Sequence, residues 1–157
     1  MKLVGIIVSA FAAVLTLSSV SMAANPDTLV NNWNWKCLEI DGSSKSNGAR
    51  AQMWDCRGQA GAVWRFENQG GWYRIINVNS GKCLEIADSR TDNGAPAQQW
   101  SCSGGDTQRW GFAGGQIFNK NSQKVLEIDG GSDANGARVQ QWQNANKTWQ
   151  AWSYGTG

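Results

Sequence analysis

The 157-residue chain contains no histidine. That absence removes the commonest general base and the commonest transition-metal ligand together. Neither a basic block nor an acidic run occurs among its 14 Lys and Arg and 12 Asp and Glu residues, so the charge pattern offers no footprint for nucleic acid or for an anionic lipid surface. No segment keeps a 3.6-residue apolar period over several turns, which argues against helices. Only one long apolar run is present, Leu3 to Leu17, and it is too short to span a bilayer.

That run follows Lys2 and precedes the small residues "SSVSMAA", the layout of a bacterial-type signal peptide. Ser21 and Ala23 suit the −3 and −1 positions and place the cut after Ala23, leaving residues 24–157 as one secreted or periplasmic domain without membrane insertion. Loss of Lys2 lowers the formal charge from +2 to +1. About 130 residues suffice for a sizeable single core.

What is abundant is tryptophan, ten copies, all after Ala23, together with internal repetition. "KCLEI" at Lys36–Ile40 recurs as "KCLEI" at Lys82–Ile86 and as "KVLEI" at Lys124–Ile128. Leu38, Leu84 and Leu126 are spaced by 46 and 42 residues, and the same offsets relate the three Asn-Gly-Ala triplets at Asn47, Asn93 and Asn135. They also relate Trp54, Trp100 and Trp142, and Trp64, Trp110 and Trp152. The four-residue difference falls at "ENQGG", which reads as a hairpin tip.

The repeats run over about 28–72, 73–114 and 115–157. Each reads as four short strands, for example Tyr73–Asn77, Lys82–Ala87, Ala97–Cys102 and Gln108–Phe112, separated by Gly, Asn, Ser and Asp. A propeller needs at least four blades, so three such units predict an all-β barrel closed with threefold pseudo-symmetry. Trp64, Trp110 and Trp152, each two residues before an aromatic, are its expected core. Asn47, Asn93 and Asn135 read as turn residues that tolerate left-handed backbone.

Four cysteines in an exported chain read as two disulfides with three connectivities open. The repeat selects among them: Cys37 and Cys56, and Cys83 and Cys102, are each 19 apart, and the third copy has lost both positions together as Val125 and Asn144. Cys37–Cys56 and Cys83–Cys102 are therefore the expected pairs. Without CxxC spacing or histidine, no metal is expected, nor any cofactor. If each bond joins directly opposed residues, Glu39 lies across from Trp54, Glu85 from Trp100 and Glu127 from Trp142. Leu38 and Ile40 then take the core face, and the Glu–Trp pairs share the outer face with Gln52, Gln98 and Gln140. A carboxylate that accepts two hydrogen bonds beside an exposed indole suits the hydroxyls and the C–H face of a sugar ring.

In this order the residues resemble the ricin B-type lectin family, a β-trefoil of three repeats with Q-x-W motifs. "CLEI", "VLEI" and "NGA" match it, as do Gln52-Met53-Trp54, Gln98-Gln99-Trp100, Gln140-Gln141-Trp142, Gln108-Arg109-Trp110 and Gln150-Ala151-Trp152, across about Thr28 to Tyr154. The resemblance implies up to one shallow glycan site per repeat, with the acid at Glu39, Glu85 and Glu127 and the ring at Trp54, Trp100 and Trp142. It also implies an Asn-Gln pair, which is incomplete: Gly61-Ala62, Thr107-Gln108 and Trp149-Gln150. On that ground copies two and three rank above copy one. Gln108 and Gln150 either touch sugar or brace Glu85 and Glu127. The family's acid is usually Asp, so the longer Glu is expected to carry the carboxylate outward.

The expected function is glycan or polysaccharide binding without catalysis, through two or three shallow sites. A glycosidase needs paired carboxyls. Glu39 with Asp41, and Glu127 with Asp129, offer pairs, but copy two has Ala87 there and no deep cleft is visible. The alternative is a trefoil protein-binding module, such as a hydrolase inhibitor or a toxin-targeting subunit, acting through a loop such as Glu67–Trp72. Trp33, Trp35 and Trp72 break the repeat and form either a barrel cover or an extra contact surface.

Overall fold

Apolar and polar residues alternate in short runs cut by glycine, asparagine and serine, and these runs form twelve strands in the computed structural model, which describes residues 27–155. The first repeat contributes β1 (Thr28–Asn31), β2 (Cys37–Ile40), β3 (Ala51–Trp54) and β4 (Trp64–Asn68). The second contributes β5 (Tyr73–Asn77), β6 (Cys83–Ile86), β7 (Ala97–Trp100) and β8 (Trp110–Ala113), and the third β9 (Gln116–Asn119), β10 (Val125–Ile128), β11 (Val139–Trp142) and β12 (Trp152–Gly155). The expected leader and its cut lie outside the described residues.

Six strands close a barrel. β1 pairs with β12, β4 with β5, and β8 with β9. Three matching contacts join these pairs: Asp27 bridges Trp64, Tyr73 pairs with Trp110, and the Trp152 N–H donates to the Gly115 carbonyl at 2.8 Å. The other six strands form three hairpins, β2–β3, β6–β7 and β10–β11, that cover one end. This is the threefold β-trefoil the repeat predicts.

The core is built in triplicate. Leu38, Leu84 and Leu126, Ile40, Ile86 and Ile128, and Trp64, Trp110 and Trp152 are all buried. Each of these indoles donates to the backbone carbonyl of its own repeat's leucine, at 2.9 to 3.0 Å. A large apolar ring with its one polar atom satisfied is what a buried tryptophan requires, and truncation of any one to alanine would cost about 3–5 kcal/mol. At the open end Phe66, Phe112 and Tyr154 pack around the pseudo-axis with centroids 5.5, 5.8 and 5.9 Å apart, Phe112 edge-on to the other two and Phe66 tilted against Tyr154. "ENQGG" is the tip of the β4–β5 hairpin, with Gly70 and Gly71 both at positive φ.

Both disulfides form as expected, Cys37–Cys56 with Cα atoms 5.2 Å apart and Cys83–Cys102 with Cα atoms 5.0 Å apart. They do not join directly opposed residues. Cys37 pairs with Trp54 and Cys83 with Trp100. Each strand leaves the ladder after its tryptophan, and the second cysteine reaches back from the turn beyond. The inferred register is thus off by two.

Candidate functional site

That shift changes the partner of each glutamate. Glu39 lies opposite Gln52, Glu85 opposite Gln98, and Glu127 opposite Gln140, not opposite the tryptophans. An even slip preserves the face, so glutamate, glutamine and tryptophan still share one side of each hairpin. The ring is now a diagonal neighbour, with β-carbons about 7–8 Å away instead of about 5 Å. A gap therefore opens between carboxylate and indole.

The glutamates do not reach outward. They are buried, with 6%, 8% and 4% of Glu39, Glu85 and Glu127 exposed, because two side-chain amides hold each carboxylate down. Gln98 donates to Glu85 Oε1 at 2.9 Å and Gln108 to Glu85 Oε2 at 3.0 Å. Gln140 and Gln150 do the same for Glu127 at 3.0 and 2.9 Å. Gln108 and Gln150 are themselves fully buried, which makes them braces beneath the carboxylate.

The first repeat has the same arrangement from a different position. Ala62 stands where Gln108 and Gln150 do, yet Gln52 donates to Glu39 Oε1 at 2.9 Å and Gln59, three residues earlier, donates to Glu39 Oε2 at 2.8 Å. Like Gln108 and Gln150, Gln59 also donates to a carbonyl of the preceding turn and accepts an N–H from it. The ground for ranking the first copy lowest is removed by that substitution.

Each indole lies over the Asn-Gly turn of the preceding repeat. A β-carbon at Gly48 would lie 3.5 Å from Trp100, one at Gly94 3.6 Å from Trp142, and one at Gly136 3.9 Å from Trp54. It is these glycines that adopt positive φ, at 81°, 84° and 84°. The asparagines before them do not, contrary to expectation. Their side chains act across the seam: Asn47 Oδ1 accepts the Ser101 N–H at 2.9 Å, Asn93 the Gln143 N–H at 2.8 Å, and Asn135 the Asp55 N–H at 3.0 Å. Asn135 also donates to Asp55, beside the 2.6 Å Lys36–Asp55 ion pair. The lysine hydrogen bond, then the asparagine's, lowers the Asp55 carboxyl to about 2.

Three overlapping segments of the chain, residues 24–100, 60–142 and 106–156, match the model of the ricin-type beta-trefoil lectin domain-like family. The chain belongs to this family. No curated protein matches it in sequence. Among solved structures, the designed threefold symmetric protein ThreeFoil is 29% identical, with a TM-score of 0.78 over 82% of this chain and 96% of its own. An exo-beta-1,3-galactanase from Clostridium thermocellum is also 29% identical, with a TM-score of 0.79, but the match covers 82% of this chain and 29% of the galactanase. The Rhizoctonia solani agglutinin shares the fold at 20% identity, with a TM-score of 0.75 over 86% of this chain and 96% of its own.

Within this ricin-type trefoil the three lobes are alike in plan and different in detail. A cavity of about 350 Å³ opens over Glu39, Gln52 and Trp54, and one of about 270 Å³ over Glu127, Gln140 and Trp142. In both, a second carboxylate stands at the wall: Asp41 accepts from Gln52 at 3.3 Å and Asp129 from Gln140 at 3.4 Å. The second repeat has Ala87 there, with its Trp100 44% exposed.

Three buried asparagines were missed in the sequence, although Asn31, Asn77 and Asn119 obey the 46 and 42 offsets. Each donates to the carbonyl of Trp149, Gly61 or Thr107 on the turn that carries the braces, at 2.8 to 3.0 Å. Of the tryptophans outside the repeat, Trp72 packs edge-on against Phe118 with Lys120 over its ring. Trp33 and Trp35 are exposed.

Proposed function

We propose that this chain is an exported, non-catalytic glycan-binding protein with one shallow site per lobe. The observation that carries the reading is the threefold recurrence of a fixed carboxylate and an open indole on one face, separated by a gap. The carboxylate accepts sugar hydroxyls, its glutamine neighbour supplies an amide, and the indole covers the C–H face. Two buried amides hold each glutamate, so little ordering remains when a ligand arrives. Two disulfides and no free cysteine among the described residues fit an oxidising compartment.

Binding is favoured over hydrolysis because both oxygens of each glutamate already accept amide N–H bonds. In lobes one and three a single glutamine amide also ties the second carboxylate to the first. Each such site would bind in the range of about 0.1–1 mM, roughly −4 to −5.5 kcal/mol. Three sites on one rigid body raise avidity for a polymer by about 10² or more.

The test is a glycan array with polysaccharide pull-downs, β-1,3-galactan among the probes. The parent protein is compared with the triple variant Trp54→Ala, Trp100→Ala, Trp142→Ala. The indoles are the cleaner target, since Gln at a glutamate position would turn an N–H donor toward two amide donors. Glycan capture by the parent and its loss in the variant is the expected result. A folded parent that captures no glycan, or capture indifferent to all three indoles, would overturn the reading and favour a protein partner.

A further inference from the structure

We propose that the third lobe holds an extended subsite for two or more consecutive residues of an uncharged glycan, with Trp149 as its second wall and Trp33 continuing the surface outward. This rests on the glycan-binding reading above. Three departures from the repeat meet at one place in the fold. Trp149 replaces Gly61 and Thr107 of the other lobes, Gly131 replaces Ser43 and Ser89, and Trp33 replaces Asn79 and Asn121.

In the other two lobes this place is small and polar. The Gly61 N–H donates to Ser43 Oγ at 2.9 Å, and Asn79 donates to the Ser43 carbonyl at 2.8 Å. A side chain at Gly61 would press on the Ile40 carbonyl at 2.8 Å and on Ser43. In the second lobe Thr107 donates to the Ile86 carbonyl at 2.8 Å, and Asn121 donates to Ser89 at 3.0 Å.

In the third lobe the exchange runs the other way. A β-carbon at Gly131 would come within 2.8 Å of the Trp149 ring, so removing the serine side chain is what lets the indole lie against the turn. Trp33 packs edge-on to that indole at 5.9 Å and 75°, and Lys147 Nζ lies 5.8 Å from its centroid. The ring is thus fixed before any ligand arrives, with one edge against the core and the rest lining the cavity over Glu127, Asp129 and Trp142.

A cavity of about 270 Å³ is below the usual range of roughly 300–1,000 Å³ for drug-sized ligands, so it suits a single sugar ring. Trp33, 46% exposed, lies beyond that cavity, and a ligand reaches it only through a second residue. Glu127 and Asp129 outnumber Lys147 at the cavity wall, which disfavours an acidic sugar, and the paired indoles offer apolar faces to a neutral one.

The test uses isothermal titration of neutral oligosaccharides, one to six residues long, of whichever sugar the array identifies. The first two lobes are silenced by Trp54→Ala and Trp100→Ala. The expected result is that affinity rises about 10-fold from one to three residues, equivalent to 1.4 kcal/mol. Trp33→Asn, Trp149→Thr and Gly131→Ser, which install residues of the other lobes, each bring the ratio close to 1. Because Trp33 is a surface residue, its variant stays folded even where the other two do not. A ratio near 1 in the parent, or one that survives Trp33→Asn, overturns the extended subsite alone. A parent that binds no sugar of any length overturns the glycan-binding reading with it.

Discussion

Gln150 is the residue whose removal reports most directly on how the third lobe is held. Its Nε2 donates to Glu127 Oε2 at 2.9 Å and to the Gln143 carbonyl at 3.0 Å, while its Oε1 accepts the Ala145 N–H at 2.9 Å and the Lys147 N–H at 3.3 Å. In Gln150→Ala the bond to the ionised glutamate is worth about 1.5–3 kcal/mol and each neutral one about 0.5–1.5 kcal/mol. Water reaches the exposed turn at 143–147 and recovers part of the neutral share, whereas Glu127 is buried and recovers little. The expected loss is about 2–4 kcal/mol, or a fall in Tm of about 10 °C for a domain of this size.

Urea unfolding followed by tryptophan fluorescence measures that loss. The same experiment on Gln108→Ala is the control: its bonds match three of the four, but Cys83–Cys102 closes that lobe's turn, and the third lobe has Asn144 in place of the cysteine. Proteolysis should therefore cut the 143–147 turn in Gln150→Ala and spare the corresponding turn in Gln108→Ala. Gln150→Glu adds a sign test. Two carboxylates about 3 Å apart cannot both ionise without penalty, so the folded pair holds a proton more tightly than the unfolded chain. Its stability should approach the parent's below pH about 4 and fall progressively as pH rises above the ordinary glutamate range toward the raised value of the folded pair. A loss under 0.5 kcal/mol in Gln150→Ala, or a pH-independent loss in Gln150→Glu, would refute the assignment of this residue as a brace.

Asp55→Asn should flatten the acid limb of stability. With a folded pKa depressed from 3.8 to about 2, Asp55 contributes stability that is present above pH 3.8 and lost as pH falls toward 2, as thermal scans at pH 2 to 5 would show. Asn93→Ala releases the Gln143 N–H and should cost about 0.5–1.5 kcal/mol in urea unfolding, with local hydrogen exchange rising at Gln143 in the following repeat. Trp35 has a φ of 57°, in the left-handed region, where the second repeat has Gly81 at 70°. Trp35→Gly should therefore raise stability by about 0.5–1 kcal/mol, since the indole is 71% exposed and gives up little buried area.

The repeat made the architecture legible because threefold closure needs only offsets. Leu38, Trp64 and their equivalents keep 46 and 42, and an alternating pattern with its apolar side inward leaves one arrangement of faces. Register was not legible to the same depth. Reading Cys37 and Cys56 as directly opposed placed Glu39 across from Trp54, whereas the strand ends at Trp54 and the cysteine reaches back from the turn. Gln59 escaped notice because residues were compared by position, and an amide three residues earlier reaches the same carboxylate oxygen from the other side of a turn. The work of Asn47, Asn93 and Asn135 was hidden for a different reason: their partners are 54, 50 and 80 residues away, in another repeat. A dipeptide suggests a turn long before it suggests a latch.

Those latches bear on why the unit occurs three times. The first repeat supports Trp100 of the second, the second supports Trp142 of the third, and the third supports Trp54 of the first. A lone repeat would therefore have its glutamate and its indole, yet nothing beneath the indole. Closure of the barrel and completion of each candidate site are one event. The same cyclic order explains how one lobe can change without disturbing the other two. Gly131 and Trp149 belong to the third repeat and Trp33 to the first, and they meet where the first and last strands, β1 and β12, close the ring. Divergence there leaves the seams at Asn47–Ser101 and Asn93–Gln143 untouched. A change in the Asn-Gly-Ala turns, by contrast, alters the bed of the next repeat's tryptophan. That difference in cost is a physical reason for the departures to gather at the seam between the first and last repeats.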